Sequence, residues 1–191
     1  MNKKRLLVLS SPSGGGKSTI AVELMKVYPN LRFSVSATTR NLRPGEIDGK
    51  QYHFLSEQDF KQKISTDSFV EYEEIFGNYY GTLKSEIEKA FDSGECLIFD
   101  VDVKGAMSVK KFFPDDSLLI FIAPPDLQTL ENRLRNRSTE TEEQIHTRLS
   151  RAELEMSFID KFDCVIINDV LENAITSAIK IIGEKMEVVQ I

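Results

Sequence analysis

The segment at residues 7–19, LVLSSPSGGGKST, joins an apolar run to three consecutive glycines, a lysine and two hydroxyl residues. Glycines allow backbone N–H groups to converge on phosphate oxygens, and a helix N-terminus adds positive potential there. A lysine in this position reaches the β and γ phosphates, and the next hydroxyl residue, Ser18, is placed to bind magnesium. The segment therefore predicts a triphosphate site made of Ser13, Gly14, Gly15, Gly16, Lys17, Ser18 and Thr19.

The glycine segment departs from the strict pattern G-x-x-x-x-G-K-[ST] at one position, where Ser11 replaces the first glycine. Gly14, Gly15 and Gly16 still supply permissive backbone nearest the phosphates. The alternative is a glycine-rich turn followed by an incidental lysine. The buried strand expected before the turn and the amphipathic helix expected after it favour the phosphate site.

A carboxylate ends the apolar run LIFDVD, at Asp100. In phosphate-loop proteins an aspartate at the end of such a strand holds magnesium directly or through water. Alternatively, Asp100 caps the following helix, which is the commoner use of an isolated aspartate at a strand end. Together with the glycine segment, Asp100 indicates a nucleotide-binding phosphate-loop protein.

Four apolar runs without polar alternation predict strands buried on both faces, as in a parallel sheet covered by helices: RLLVLS, CLIFDVD, LLIFIA and CVIIN. Helical spacing of apolar residues recurs at 18–27, 85–91, 127–134 and in the closing ENAITSAIKIIGEKM. Strands thus alternate with helices, and the fold class is α/β with a parallel sheet flanked by helices.

Residues 36–82 interrupt this alternation and are interpreted as a strand-rich insertion. RPGEIDGK is expected to be a loop, QYHFL and FVEYEEIFGNYYG strands, and SEQDFKQKI a short helix started by Ser56 and Asp59. The polar stretch RNRSTETEEQ is expected to be a mobile lid, with Thr141 and Gln144 as a capping box. We therefore expect a core at 1–35, 83–132 and 152–191, the insertion at 36–82 and the lid region at 133–151.

Composition narrows the class of protein. The chain has 191 residues, 41% of them hydrophobic, which suits one domain, and its net charge of −6 argues against nucleic acid or anionic membrane as the main partner. The apolar run after Lys3, Lys4 and Arg5 is shorter than the roughly 7–15 residues of a signal peptide, so a cytoplasmic protein is expected. Cys96 and Cys164 sit in apolar runs and are expected to be unpaired core residues.

The insertion makes the chain resemble the guanylate kinase family. SVSATTRNLRPGEIDGKQYHF, FVEYEEIFGNYYGT, FDVDVKG, IAPP and RSTETEE follow one another as they do in that family, over residues 7 to 183. The resemblance implies a phosphate-loop core, a strand-rich GMP-binding insertion and a mobile lid. It also implies the magnesium-dependent reaction of ATP with GMP to ADP and GDP, with dGMP as a candidate second acceptor.

The same resemblance assigns residues. It implies that the GMP phosphate is held by Arg40, Arg43, Tyr52 and Tyr80, and that the base is recognised by Ser36, Glu71, Thr82 and Asp102. Asp100 is assigned to both the metal site and the GMP site. With Lys17, the lid arginines Arg133, Arg137 and Arg148 are implied to be catalytic, and Asn168 to contact adenine.

Other interpretations of these residues remain open from the sequence. The lid arginines are also explained as solvated surface pairs with Glu131 and Glu140. The tyrosines are also explained as core aromatics, which we favour for Tyr79. A protein-binding module of guanylate kinase fold, or a kinase for another nucleoside monophosphate, is the alternative at the level of the whole protein.

Overall fold

The protein is described by a computed structural model at residues 3–75, 77–136 and 141–190. Nine strands lie within these ranges: β1 Leu6–Ser10, β2 Leu31–Phe33, β3 Ala37–Thr38, β4 His53–Phe54, β5 Phe69–Ile75, β6 Asn78–Leu83, β7 Cys96–Asp100, β8 Ser117–Ala123 and β9 Cys164–Ile167. They are accompanied by seven α-helices: α1 Lys17–Val27, α2 Glu57–Ser65, α3 Lys84–Ser93, α4 Val103–Phe112, α5 Leu127–Arg135, α6 Glu142–Met156 and α7 Leu171–Lys185. A short 3₁₀ helix spans Ile159–Lys161.

The central sheet has five strands in the order β2-β7-β1-β8-β9, and every neighbouring pair is parallel. Successive residues of β1 alternate between its two faces. Leu7 and Leu9 pack against α1 and α7 on one side, while Leu6 and Val8 pack against α3 and α4 on the other. The predicted α/β class, with a parallel sheet flanked by helices, is confirmed.

A second sheet has four strands in the order β4-β3-β6-β5. Its main unit is the antiparallel β5–β6 hairpin. Helix α2 closes one side, where Phe60 packs beneath Phe69 and Tyr79 at ring distances of 4.4 Å and 5.4 Å. Tyr79 is therefore a core aromatic, as the sequence suggested.

Several local predictions are confirmed. Ser56 caps α2 by accepting a hydrogen bond from the Asp59 N–H, and Thr141 and Gln144 form the capping box of α6. Cys96 and Cys164 are unpaired. The strand expected at QYHFL is shorter than predicted, since only His53–Phe54 forms a strand and Tyr52 makes an isolated bridge to Asp48.

Four elements were not located from the sequence, namely β2, β3, α4 and the short 3₁₀ helix. Two of them are strands of two or three residues, which are too short to show a period. The buried face of α4 is made of Val103, Gly105, Ala106 and Val109, which give a weak apolar signal. Within the described ranges, no helix is both long and apolar enough to cross a membrane.

Candidate functional site

The glycine segment forms a tight loop between β1 and α1. Gly15 N–H donates to the Pro12 carbonyl at 2.8 Å, and Gly16 adopts φ +91°, which a residue with a side chain rarely does. Among the described residues, Asp67 is the only non-glycine with positive φ. Ser11 therefore has ordinary backbone geometry, so serine is tolerated at the first position of the pattern.

Lys17 and Ser18 begin α1 and both face Asp100. Lys17 Nζ forms an ion pair with Asp100 Oδ1 and donates to the Val101 carbonyl at 3.2 Å. Ser18 Oγ donates to the other oxygen, Asp100 Oδ2, also at 3.2 Å. One carboxylate thus meets both the cation and the hydroxyl that the sequence singles out.

The parallel topology explains this meeting. β1 and β7 are neighbours, and Asp100 lies opposite Leu9 in their register. The loop after β1 and the last residue of β7 consequently share the carboxyl edge of the sheet. In open α/β sheets, ligands bind at this edge.

Two carboxylates face the same space from other elements. Glu71, on β5, accepts a 2.7 Å hydrogen bond from Thr82 Oγ1 on β6. Burial raises the pKa of Glu71, the Thr82 hydrogen bond opposes that effect, and the negative charge of Asp102 adds to it. Asp102 caps α4 by accepting from Gly105 N–H at 2.9 Å, and its Oδ2 lies 3.5 Å from Arg151 Nη2.

An arginine and two tyrosines gather on the second sheet. The Tyr52 and Tyr80 rings meet edge to face at 5.9 Å, and the Arg40 guanidinium lies 5.4 Å from the Tyr52 ring centroid. The Glu46 carboxylate accepts two hydrogen bonds from the Arg40 guanidinium, at 2.7 Å and 3.0 Å, and a third from the Arg43 N–H at 2.8 Å. These contacts hold the pKa of Glu46 below its usual range.

A single open cavity of about 910 Å³ connects the loop to the second sheet. Its lining includes many of the residues predicted from the sequence: Ser13, Gly14, Gly15, Gly16, Lys17, Ser18, Thr19, Ser36, Tyr52, Glu71, Tyr80, Asp100, Asp102 and Arg148. Other predicted residues lie outside this lining. Thr82 is buried and donates to Glu71, Arg40 lies over the Tyr52 ring, and the Arg43 backbone N–H donates to Glu46. Asn168 contacts the Gly15 carbonyl, and Arg133 contacts the Asn168 carbonyl.

The predicted lid arginines differ in their positions. Arg148, on α6, donates from Nη1 to Ser13 Oγ of the glycine loop. Arg133, on α5, donates from Nη2 to the carbonyls of Asn168 and Asp169, at 2.8 Å and 3.2 Å. Helix α5 ends at Arg135, and Arg137 lies outside the described residues.

Asn168 directly follows β9 and is 4% exposed. Its Nδ2 donates to the Gly15 carbonyl at 2.8 Å, a contact that spans 153 positions of the chain. The side chain that the resemblance assigns to adenine therefore contacts the glycine loop. The adenine contact stays a prediction.

Three residues of the site were not singled out from the sequence. Arg151 and Glu155 line the cavity from α6, joined by a 3.0 Å hydrogen bond, and burial raises the pKa of Glu155 while Arg151 opposes it. Their i,i+4 spacing was the available signal. Glu46 was not found because its role depends on how the RPGEIDGK loop folds back on Arg40.

The fold and the site define a class before any relative is considered. A glycine loop after the first strand, with lysine and serine opening α1 and an aspartate ending the neighbouring strand, is the core of a P-loop nucleotide-binding protein. The family model described as guanylate kinase matches residues 3–185. The chain belongs to the guanylate kinase family, which confirms the resemblance drawn from the sequence.

Similar proteins agree with this family. A guanylate kinase of Chlorobium luteolum is 54% identical over 92% of this chain and 89% of that protein. A guanylate kinase of Chlorobaculum tepidum is 46% identical, covering 96% of this chain and 94% of its own length. The crystal structure of guanylate kinase from Anaplasma phagocytophilum matches with a TM-score of 0.71 and 32% identity, over 97% of this chain and 88% of that one.

Proposed function

We propose that this protein transfers the γ-phosphoryl group of ATP to GMP, giving ADP and GDP. The observation that carries the proposal is the shared cavity, because it joins a triphosphate-binding loop at one end to carboxylates at the other. Guanine presents N1–H and its 2-amino group as adjacent donors, and ionised carboxylates such as Glu71 and Asp102 only accept hydrogen bonds. Membership of the guanylate kinase family supports the same reaction.

The residues of the loop suit a magnesium–triphosphate complex. Magnesium prefers oxygen ligands and is commonly held by one or two protein groups together with substrate phosphates. Ser18 Oγ and the Asp100 carboxylate lie 3.2 Å apart at the end of the loop and offer such oxygens. When bound, magnesium would neutralise charge on the β and γ phosphates. Lys17, now paired with Asp100, supplies a second positive charge.

Phosphoryl transfer then depends on alignment and on exclusion of water, since no covalent protein intermediate is needed. Arg40, Arg43, Tyr52 and Tyr80 are proposed to hold the acceptor phosphate. Ser36, Glu71, Thr82 and Asp102 are proposed to recognise the base, with Thr82 acting through its hydrogen bond to Glu71. Arg133, Arg137 and Arg148 are proposed to stabilise the transferring group when residues 133–151 close over the core.

The proposal is tested by offering ATP with GMP, dGMP, AMP or UMP and measuring ADP and the nucleoside diphosphate formed. We expect efficient turnover with GMP and little with AMP or UMP. Turnover of AMP or UMP equal to that of GMP would contradict the proposed preference for GMP as the acceptor. Failure to phosphorylate any of the four acceptors would contradict the proposal that the protein is a nucleoside monophosphate kinase.

A further inference from the structure

The side-chain amide of Asn168 makes a buried contact with the backbone of the glycine loop between β1 and α1. Asn168 Nδ2 donates to the Gly15 carbonyl at 2.8 Å, and Asn168 is 4% exposed. A buried carbonyl that loses a hydrogen-bond donor keeps the cost of desolvation. The contact is therefore a strong local constraint on the Gly15–Gly16 peptide.

That constraint sets the direction of an N–H group on the loop. A trans peptide is planar, so the Gly15 C=O and the Gly16 N–H point in opposite directions across the same plane. With the carbonyl held toward Asn168, the Gly16 N–H points away from Asn168. Gly15 and Gly16 line the cavity, whereas Asn168 contacts the loop without being part of that lining.

The packing leaves no room for a side chain between Asn168 and the loop. A Cβ built on Gly16 would lie 2.3 Å from Asn168 Nδ2, well inside any real carbon–nitrogen contact. The close approach explains why glycine is needed at this position beyond its φ of +91°. Asn168 and Gly16 therefore fit each other as a pair.

Asn168 is itself fixed from two directions. Its backbone N–H donates to the Ala123 carbonyl at 2.7 Å, continuing the pairing of β9 with β8. Its own carbonyl accepts from Arg133 Nη2 at 2.8 Å. The backbone from which the Asn168 amide projects is thus held by the carboxyl edge of the central sheet and by Arg133 of α5.

From these contacts we propose that Asn168 is a positioning residue for the phosphate loop, turning the Gly16 N–H toward the bound triphosphate. The inference rests on the proposed function in one respect, that the loop binds the phosphates of ATP. It assigns to Asn168 an effect on phosphate affinity that does not depend on the adenine base. A direct contact with adenine would instead affect the affinity for ATP and leave the affinity for a phosphate chain without a base unchanged.

The test measures dissociation constants for ATP, for inorganic tripolyphosphate and for GMP, each with magnesium, by calorimetry. The variants are Asn168→Ala, which removes the donor, and Asn168→Asp, which keeps the shape but sets an acceptor against the Gly15 carbonyl. Asn173→Ala, at an exposed position of α7, is the matched control. For Asn168→Ala we expect the constants for ATP and tripolyphosphate to rise together by roughly tenfold.

Asn168→Asp should weaken both phosphate ligands further, while the GMP constant stays that of the wild type and shows that the variants are folded. Weaker ATP binding with unchanged tripolyphosphate binding would overturn the inference in favour of an adenine contact. Unchanged binding of both ligands, or an equal loss for GMP, would also overturn it. If the wild-type protein binds ATP and tripolyphosphate but forms no GDP, only the proposed function is contradicted. The ratios of the variant to the wild-type dissociation constants still decide the role of Asn168.

Discussion

Thr82 and Glu71 lie opposite each other on β6 and β5, and Thr82 Oγ1 donates a 2.7 Å hydrogen bond to Glu71 Oε1. Thr82 is 1% exposed, so its hydroxyl is shielded from water and bonds to the carboxylate instead. One oxygen of Glu71 is therefore engaged by this bond, which orients the carboxylate at the lining of the cavity. The pair gives Glu71 a defined direction that a freely rotating carboxylate would lack.

We first predict that Glu71→Gln lowers kcat/KM for GMP by roughly tenfold to a hundredfold, the equivalent of about 1 to 3 kcal/mol. Glutamine preserves the acceptor for Thr82 but brings a donor amide and removes the negative charge that suits the guanine donors. AMP offers neither donor at that edge, so its use should gain little. Steady-state kinetics with both acceptors measure the change.

The control for this prediction is Glu74→Gln. Residues 71 and 73 share a face of β5, and both Glu71 and Glu73 line the cavity, whereas Glu74 is exposed on the other face. Equal GMP preference in the wild type and both variants would mean that Glu71 has no role in base choice.

A second prediction concerns pH. Burial raises the pKa of Glu71, so the carboxylate takes up a proton at a higher pH than an ordinary glutamate does. Use of GMP should fall as the pH drops through this raised value. Stability should move the other way, because a raised native pKa gives stabilisation that is complete below the unfolded pKa and is lost as pH rises through the native one.

Glu71→Gln cannot ionise, so it separates these two effects. Its free energy of unfolding relative to the wild type should increase as pH rises through the native pKa of Glu71. Urea titrations at several pH values measure this difference. A difference that is flat with pH would mean that burial does not hold the carboxylate toward its neutral form.

The sequence predicts what depends on neighbours along the chain. The glycine loop, the four apolar strands and the caps at Ser56 and Thr141 depend on short spacings, and the structure contains them all. The expected burial on both faces is wrong for β9, because this strand lies at the edge of the sheet and leaves Val165 and Ile167 exposed. Contacts across the chain are a different matter. Glu71 differs from its neighbours Glu73 and Glu74 through Thr82 on the adjacent strand, and Asn168 reaches Gly15 from 153 positions away.

A third prediction is that Lys17→Met lowers kcat by roughly a hundredfold or more, as loss of one preorganised charge at a transition state does. Binding of GMP should change little, because its proposed contacts lie on the second sheet. Lys26→Met is the matched control, since Lys26 lies near the other end of α1 and pairs with Glu23 at the surface. Near-normal formation of GDP by Lys17→Met would show that the loop has been wrongly assigned.

A fourth prediction separates the lid arginines from surface ion pairs. Arg148→Ala should lower kcat far more than it raises KM for GMP, because an arginine that meets the moving phosphoryl group acts mainly in the transition state. Arg135→Ala is the control, since Arg135 pairs with Glu131 and Glu142 at the surface. An effect of Arg148→Ala on KM alone would indicate a ground-state phosphate contact, and wild-type kinetics would favour the surface interpretation.

The last prediction concerns the joint between the two sheets, where Glu86 of α3 is 6% exposed. Arg32 Nη1 of β2 donates to Glu86 Oε1 at 2.7 Å, and His53 Nε2 of β4 lies 3.7 Å from Oε2.

Glu86→Ala should lower the free energy of unfolding by about 2 kcal/mol. This is less than for a fully buried pair, because Arg32 is partly exposed and keeps its hydrogen bond to Glu95 at 2.8 Å. Glu88→Ala, exposed on the same helix, should change it by no more than about 0.5 kcal/mol. Urea unfolding compares the variants, and equal stability of the two would mean that the Arg32–Glu86 contact contributes nothing to holding the sheets together.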